Sequence, residues 1–157
     1  MIVVLLGLLS LTACNDPPES SNEEIVSFFE DNVSELEKLV EFCVHNPDVR
    51  WMGSEVGQID VVTLIPENPD ISTRNEAWGI IDRLGLRSIA CLRDWRAEGR
   101  DLIAVGFSIW AVGLAVSGRS KGLEFAFEET PNIKSSVTSG EYMALDKEGW
   151  YLYSSSD

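Results

Sequence analysis

The sequence predicts a two-layer α+β domain in which two helices cover one face of an antiparallel sheet. Three patterns lead to this prediction: apolar residues at helical spacing between residues 22 and 45, a shorter helical pattern ended by Gly85, and β-branched or alternating segments after residue 88. The order of helix, strand pair, helix and then consecutive strands is typical of domains whose helices lie on one side of an antiparallel sheet.

The first helix is predicted to follow Ser21, because Ser21 and Glu24 have the spacing of a capping box. Apolar side chains then recur with a period near 3.6 residues, which marks one face of an amphipathic helix. They are Ile25, Phe28, Phe29, Val33, Leu36, Leu39, Val40 and Cys43. Asn46-Pro47 ends the pattern, since proline does not continue a helix.

A strand pair and a second helix come next. Residues 49–52 and 59–65 are rich in the β-branched and aromatic residues that favour strands. Thr73 and Glu76 repeat the capping-box spacing, and Gly85 is predicted to end the helix in a left-handed conformation. The apolar positions of this helix are Ala77, Ile80, Ile81 and Leu84.

The rest of the chain is predicted to be antiparallel sheet. Residues 102–116 form an apolar run that is too short to span a membrane but suits a long central strand, bent at Gly106 or Gly113. Residues 123–128 alternate between apolar and polar and predict a half-buried strand. Residues 88–95, 141–145 and 150–153 are the other predicted strands, residues 117–122 a turn and residues 129–139 an irregular segment.

The start of the chain carries a motif of its own. An apolar run ends in Leu11-Thr12-Ala13-Cys14, a branched aliphatic residue and two small residues before cysteine. This motif resembles the lipobox of bacterial lipoproteins, whose signal peptide is removed before the cysteine. The resemblance implies that residues 1–13 are cleaved and that Cys14 carries a thioether-linked diacylglycerol and an acylated amine, which together anchor a protein stably to a membrane.

Two consequences follow from the lipobox resemblance. Residues 14–22, rich in proline and serine, would form a tether, and residues 23–157 would form a single domain. The residue after the cysteine is Asn15 rather than aspartate, which by analogy with enterobacterial sorting favours the periplasmic face of the outer membrane. We therefore expect a lipid-anchored protein of the bacterial cell envelope.

The charge of the chain is strongly acidic and unevenly distributed. The formal net charge is −14, with 15 acids and 3 bases in residues 14–80 but 11 acids and 9 bases in residues 81–157. Such a field repels nucleic acid, so nucleic-acid binding is not expected. It would attract a cationic envelope or secreted protein, or it would simply keep a tethered domain soluble.

Cys43 and Cys91 remain once Cys14 carries lipid. An oxidising envelope would allow these two residues to form a disulfide. The alternative is two separate buried thiols, because free cysteine is among the most buried residue types. The sequence favours separate thiols, since one cysteine falls on the first helix, the other falls on a strand, and no spacing rule joins them.

The residues needed for catalysis are sparse. His45 is the one histidine, and its place near the end of the first helix suits a positive charge at the negative helix terminus. No nucleophile elbow, P-loop, EF-hand loop or zinc-type set of ligands is present. The adjacent acids Glu128 and Glu129 would suit an acid-dependent hydrolase, but with 26 acids such pairs arise by chance. We expect a protein that is not an enzyme and has no cofactor and no metal.

Arginine and tryptophan give the remaining candidate contacts. The arginines at positions 83, 87, 93, 96 and 100 either bind an anionic ligand or pair with the acidic face of the first helix, and the sequence favours the second role. Trp95 lies between Arg93 and Arg96 in the sequence, so these three residues are candidates for contact with a ligand or partner.

Two short segments in the last third of the chain carry a further resemblance. Lys121-Gly122-Leu123-Glu124-Phe125 and the terminal Gly149-Trp150-Tyr151-Leu152-Tyr153, together with the lipobox and an early helix, are similar to features of small uncharacterised proteobacterial lipoproteins. This resemblance implies no activity. The expected function is contact with another protein, as an accessory, inhibitor or immunity factor against a basic lytic enzyme or toxin; the alternative is a small-ligand module between helices and sheet.

Overall fold

The chain forms an antiparallel sheet with two helices on one face and a third helix on the other. A computed structural model describes residues 18–55, 58–63, 71–94, 101–114, 117–129 and 131–156. The helices are α1 (Asn22–His45), α2 (Ile71–Leu84) and α3 (Pro131–Ser139). The strands are β1 (Val49–Glu55), β2 (Gln58–Thr63), β3 (Ser88–Arg93), β4 (Leu102–Leu114), β5 (Ser117–Ala126), β6 (Tyr142–Ala144) and β7 (Trp150–Ser156). Within this part of the chain, none of the helices combines the length and the apolarity that a membrane span requires.

The seven strands form one sheet in the order β2-β1-β3-β4-β5-β7-β6. Every neighbouring pair is antiparallel. The long apolar strand β4 lies in the middle, as its sequence predicts. The α+β class, with the first helix preceding the strands, is therefore confirmed.

The capping box predicted at the start of α1 is present. The Ser21 hydroxyl accepts a hydrogen bond of 3.1 Å from the Glu24 N–H, and the Glu24 carboxylate accepts one of 2.7 Å from the Ser21 N–H. These bonds satisfy two amide groups that a helix start leaves unpaired. The side chains that α1 buries are Ile25, Phe29, Leu36, Leu39, Val40, Phe42 and Cys43, largely the predicted face.

The two ends of α2 differ in how well the sequence predicts them. The helix begins at Ile71, so Thr73 lies inside it and the predicted start two residues later is wrong. The other end is as predicted: Gly85 has φ of 65°, and Leu86 donates a 3.0 Å hydrogen bond to the Ile81 carbonyl. This is a Schellman motif, which needs the left-handed conformation that glycine adopts without strain.

Trp150 on β7 lies at the centre of the core between the sheet and α1. Its ring centroid lies 5.1 Å from that of Phe29 on α1, 5.5 Å from Phe107 on β4 and 5.2 Å from Phe125 on β5. Aromatic clusters of this kind bury more apolar area than any other side chains. The helices α1 and α2 therefore lie on the sheet face that carries Phe107, Leu123 and Trp150.

A disulfide joins Cys43 at the end of α1 to Cys91 on β3, with their Cα atoms 5.6 Å apart. The expectation of two separate thiols is therefore wrong. Its reasoning failed because sequence spacing carries no information on which buried residues face each other across a helix–sheet interface. Both cysteines are nonetheless buried, as a thiol at either position would be.

Three further predictions in the second half of the chain need correction. The ladder between β4 and β5 shifts register between Ser108 and Trp110, so the irregularity falls there and not at Gly106 or Gly113. Residues 117–122, predicted to turn, form the first half of β5. The predicted irregular segment contains α3, which adds a third helix to the two expected. The sequence did not predict α3 because this helix buries little of its surface and its residues are therefore mostly polar.

Candidate binding face

The arginines predicted to pair with the acidic face of the first helix divide between two roles. Arg83 forms an ion pair with Glu35 on α1, as predicted. Arg93 instead donates to the carbonyl oxygens of Cys43 and Asn46, which lie at the end of α1. Arg87 donates a 2.5 Å hydrogen bond to the Ala111 carbonyl. Burial lowers the pKa of Arg93, and nearby Asp48 partly opposes that shift. These contacts give Arg93 a role within the fold.

Several of the predicted site residues lie outside the part of the chain that the structure describes. They are Leu11, Thr12, Ala13 and Cys14 of the lipobox, together with Trp95 and Arg96. His45 is the last residue of α1, and its Nδ1 lies 2.8 Å from the Glu41 carbonyl oxygen. This position is the one predicted for it.

The end of the predicted tether is attached to the sheet. Glu19 forms ion pairs with Lys121 at 2.8 Å and with Arg119 at 3.3 Å, both on β5. Lys121 also donates to the Ser20 carbonyl at 3.3 Å. The hydrogen bond from Lys121 lowers the pKa of Glu19. Desolvation opposes that effect, and the positive charges of Lys121 and Arg119 add to it. The chain is thus held against β5 three residues before α1 begins.

The sheet face turned away from α1 and α2 carries a separate set of side chains, which we call the open face. Paired residues of neighbouring strands point to the same side of a sheet, so the register identifies its members. One row runs Trp51, Ala90, Gly106, Glu124, Tyr151 and Ala144. The next row runs Gly53, Ser88, Ser108, Gly122, Tyr153 and Tyr142.

Helix α3 covers one end of the open face. Ile133 packs there with Ala104, Ala126 and Tyr151 in a second, smaller core. Among the described residues, α3 is the one helix with buried contacts on this side of the sheet. The two rows beyond it remain partly exposed at Ala90 and Gly106.

The floor of the open face is made of small residues. At Gly106, an added Cβ would have the Ala90 Cβ at 3.9 Å as its one described neighbour within 4 Å. At Gly122, by contrast, an added Cβ would lie 2.0 Å from the Phe107 carbonyl oxygen and 3.0 Å from the Tyr153 ring. The face therefore has free space over Gly106, next to Glu124, and a covered region over Gly122.

All three tyrosines of the chain lie together on the open face. The ring centroid of Tyr142 lies 6.2 Å from that of Tyr151 and 6.2 Å from that of Tyr153. Burial raises the pKa of Tyr153, while a hydrogen bond with Ser108 opposes that effect. Burial and the nearby Glu124 carboxylate raise the pKa of Tyr142 well above its usual range. The phenols of Tyr142 and Tyr153 therefore stay neutral at physiological pH.

Glu124 is the charged residue at the centre of this face and is only 8 % exposed. Its carboxylate accepts a 2.8 Å hydrogen bond from the Tyr142 hydroxyl. Burial raises the pKa of Glu124, and the Tyr142 hydrogen bond opposes part of that rise. No ion pair in the described part of the chain involves this carboxylate. A largely buried carboxylate without a cationic partner is uncommon, because burial of an unpaired charge is unfavourable.

A groove lies on the other side of the molecule. It lies between α1 and α2 and has a volume of about 380 Å³. Its lining includes Phe42, His45, Glu76 and Ile80. Within the described ranges, no three His, Cys, Asp or Glu side chains are grouped so that they would hold a metal ion.

The open face was not predicted from the sequence. The alternation of residues 123–128 favoured polar side chains in solvent, but the structure buries Glu124. Two signals were present: Tyr151 and Tyr153 alternate with the buried Trp150 and Leu152, and glycine at 106 and 122 marks places where a sheet is approached closely. Neither signal alone identifies which strands bring the residues together.

This chain matches no protein-family model, no curated protein and no solved structure. Its function must therefore be inferred from the residues of the open face and of the predicted anchor.

Proposed function

We propose that this protein is a lipid-anchored lipoprotein of the bacterial cell envelope that acts by binding a cationic protein, and that the open face is its contact surface. The lipobox at residues 11–14 supports the anchor. The disulfide between Cys43 and Cys91 supports an oxidising compartment, where such bonds persist. The proposed location is the periplasmic face of the outer membrane.

The observation that carries the proposal is the buried Glu124 carboxylate in a surface otherwise made of small and aromatic residues. Desolvating a carboxylate is unfavourable unless hydrogen bonds and an opposite charge compensate for it. The described residues supply one hydrogen bond, from Tyr142, and no opposite charge. A positively charged partner group seated beside Glu124 would supply the missing interaction.

The net charge of the chain supports the same partner. A formal charge of −14 attracts a basic protein over a distance and raises its rate of encounter at low ionic strength. At physiological ionic strength, salt largely screens the attraction between charges that are more than about 8 Å apart. Association that weakens steeply with salt is therefore expected.

A pull-down from envelope extract tests the contact surface. The full chain in detergent is immobilised as wild type, as Gly106→Leu and as Gly79→Leu. Leucine at 106 fills the free space of the open face, whereas Gly79 on α2 has no described atom within 4 Å of an added Cβ and takes the same side chain harmlessly. We expect a basic protein to be retained at low salt by wild type and Gly79→Leu but not by Gly106→Leu. Equal retention by all three, or none by wild type, contradicts the proposal.

The anchor has its own test. Mass spectrometry of the protein purified from bacterial membranes should show a mature chain that begins at an acylated Cys14. An intact and unacylated Met1 on protein recovered from the cytosol contradicts the proposed location.

The second candidate function is small-ligand binding. Aromatic rings of Phe29, Phe107 and Trp150 fill the space between α1 and the sheet, where the sequence placed such a ligand. The groove between α1 and α2 is the better location, since its volume of about 380 Å³ falls within the usual range for ligand sites. A fragment screen by NMR whose shifts map to Phe42 and Ile80 would favour this function.

A further inference from the structure

We propose that the open face recognises one arginine or lysine side chain of the basic partner, which inserts beside Glu124 and against the tyrosine rings. This inference rests on the proposed function, because it names the chemistry of the group that the same surface binds. The juxtaposition that carries it is a buried carboxylate, open space at Gly106 and three tyrosines on neighbouring strands.

The geometry around Glu124 leaves one side for a ligand. Tyr142 reaches the carboxylate from β6 and donates a 2.8 Å hydrogen bond to it. On the opposite side the paired residue is Gly106, which presents no side chain. The next strand offers only the methyl group of Ala90, at 3.9 Å from an added Cβ at 106. A cation therefore has access to Glu124 from the β4 side, where Gly106 and Ala90 carry no large side chain.

The tyrosines favour a cation in this position. An ammonium or guanidinium group is attracted to the face of an aromatic ring within about 6 Å of its centroid. Tyr142 on β6 and Tyr151 and Tyr153 on β7 lie on the same face as the carboxylate, and burial keeps the phenols of Tyr142 and Tyr153 neutral. A planar guanidinium can also donate two parallel hydrogen bonds to a carboxylate, so arginine is expected to bind more tightly than lysine.

The shape of the open face favours a protein over a small free amine. The face extends from Trp51 on β1 to Tyr142 on β6, across six strands in the order of the sheet. At a strand spacing near 4.8 Å this is about 24 Å of nearly flat surface. Small molecules are usually held in enclosed pockets, whereas flat areas of this width are typical of contacts between proteins.

The test uses peptides that differ only in charge. The full chain in detergent micelles is titrated with acetyl-Gly-Arg-Gly-amide, with the same peptide carrying lysine, and with the same peptide carrying citrulline, which has the shape of arginine but no charge. Binding is followed by NMR shifts of the backbone amides. We expect the arginine peptide to shift the signals of Gly106, Glu124 and Tyr153, the lysine peptide to bind more weakly, and the citrulline peptide to bind at least tenfold more weakly than arginine.

Two matched variants locate the binding group. Glu124→Gln keeps the size of the side chain and an acceptor for Tyr142 but removes the charge, so binding of the arginine peptide should weaken at least tenfold. Glu30→Gln makes the same change on the exposed surface of α1 and should leave binding unaltered. Gly106→Leu, which keeps Glu124, should also abolish binding. Thermal unfolding of each variant verifies that it is folded.

Three results overturn the inference: equal binding of the arginine and citrulline peptides, unaltered binding by Glu124→Gln, or shifts that map to the groove between α1 and α2. Methylguanidine is the small-molecule arm, and affinity at least tenfold above that of the arginine peptide would assign the site to a free guanidinium compound rather than to a protein. If the pull-down retains a partner through the open face while the peptides fail, the proposed function stands and only the arginine or lysine inference is wrong.

Discussion

Tyr142 extends from the edge strand β6 across β7 and donates its hydroxyl proton to the Glu124 carboxylate on β5 at 2.8 Å. The bond links the edge of the sheet to the centre of the open face. It partly compensates for the burial of Glu124, but one neutral hydrogen bond compensates a buried charge incompletely. The residue is therefore expected to destabilise the free protein in its ionised form.

Glu124→Gln should accordingly be at least as stable as the wild type at neutral pH. Burial raises the folded-state pKa of Glu124 above the unfolded value. A raised carboxyl pKa means that stability is greatest below the unfolded pKa and declines as pH rises through the folded one. Urea unfolding of both proteins across this range should show the advantage of glutamine growing as pH rises. The groups that face Glu124, Tyr142 and Tyr153, stay neutral there. A variant that loses stability at neutral pH contradicts this assignment.

Two glycines of the open face, Gly106 and Gly122, should respond oppositely to alanine. In Gly122→Ala, the new methyl group would lie 2.0 Å from the Phe107 carbonyl oxygen, so the strands must separate. We expect a loss of about 2–3 kcal/mol, as for other overpacked sites. In Gly106→Ala, the methyl group has free space, and replacing a flexible residue within a strand should stabilise the protein by about 0.5 kcal/mol. Equal effects of the two changes on urea unfolding would show that the open face is filled.

Removing the disulfide should destabilise the protein strongly. Cys43 and Cys91 are separated by 48 residues. Closing a loop of this length stabilises a folded chain by about 4 kcal/mol in the chain-entropy description. Urea unfolding of Cys43→Ala/Cys91→Ala should show a loss of this order. Thiol titration of the unreduced wild type in denaturant is the direct check, and two free thiols besides Cys14 would contradict the bond.

The attachment of Glu19 to β5 should depend on salt and on acid. The pKa of Glu19 is lowered mainly by its hydrogen bond with Lys121. A lowered carboxyl pKa means that the attachment persists above the unfolded pKa and is lost as pH falls through the folded one. Hydrogen exchange at Ser21, whose N–H donates to the Glu24 carboxylate, should rise in 1 M salt and in Glu19→Gln. Glu23→Gln, which removes an equal charge from the first turn of α1, is the control and should leave that exchange rate nearly unchanged.

The sequence predicted α1 and the end of α2 because their boundaries and apolar faces are set by neighbouring residues. The capping box at Ser21, the apolar face of α1 and the glycine that ends α2 each depend on residues within one or two turns, so the sequence alone identifies them. The helix α3 had such signals too, since proline at its first position and Gly140 beyond its end, at φ of 84°, are the usual boundaries of a helix. Its weak apolar periodicity outweighed them.

The binding face and the disulfide depended on information that local patterns do not contain. Cys43 meets Cys91 because the end of α1 lies against β3. Glu124 meets Tyr142 because the Tyr142 side chain reaches across β7 to β5. The alternation of residues along a strand predicts which side chains share a face of the sheet. It does not predict whether other elements cover one face or both. The polarity of Glu124 and the small size of Ala126 predicted that both side chains face solvent. Both are buried, because α3 and the tyrosines cover that face of the sheet.

The contact between Glu19 and Lys121 fixes the point at which the chain leaves the sheet. If Cys14 carries lipid as proposed, the five residues from Cys14 to Glu19 span at most about 18 Å. The end of the sheet that bears Arg119 would then rest next to the phospholipid headgroups. So short a linker would keep the domain close to the membrane, and the protein would bind only molecules that come to the bilayer surface.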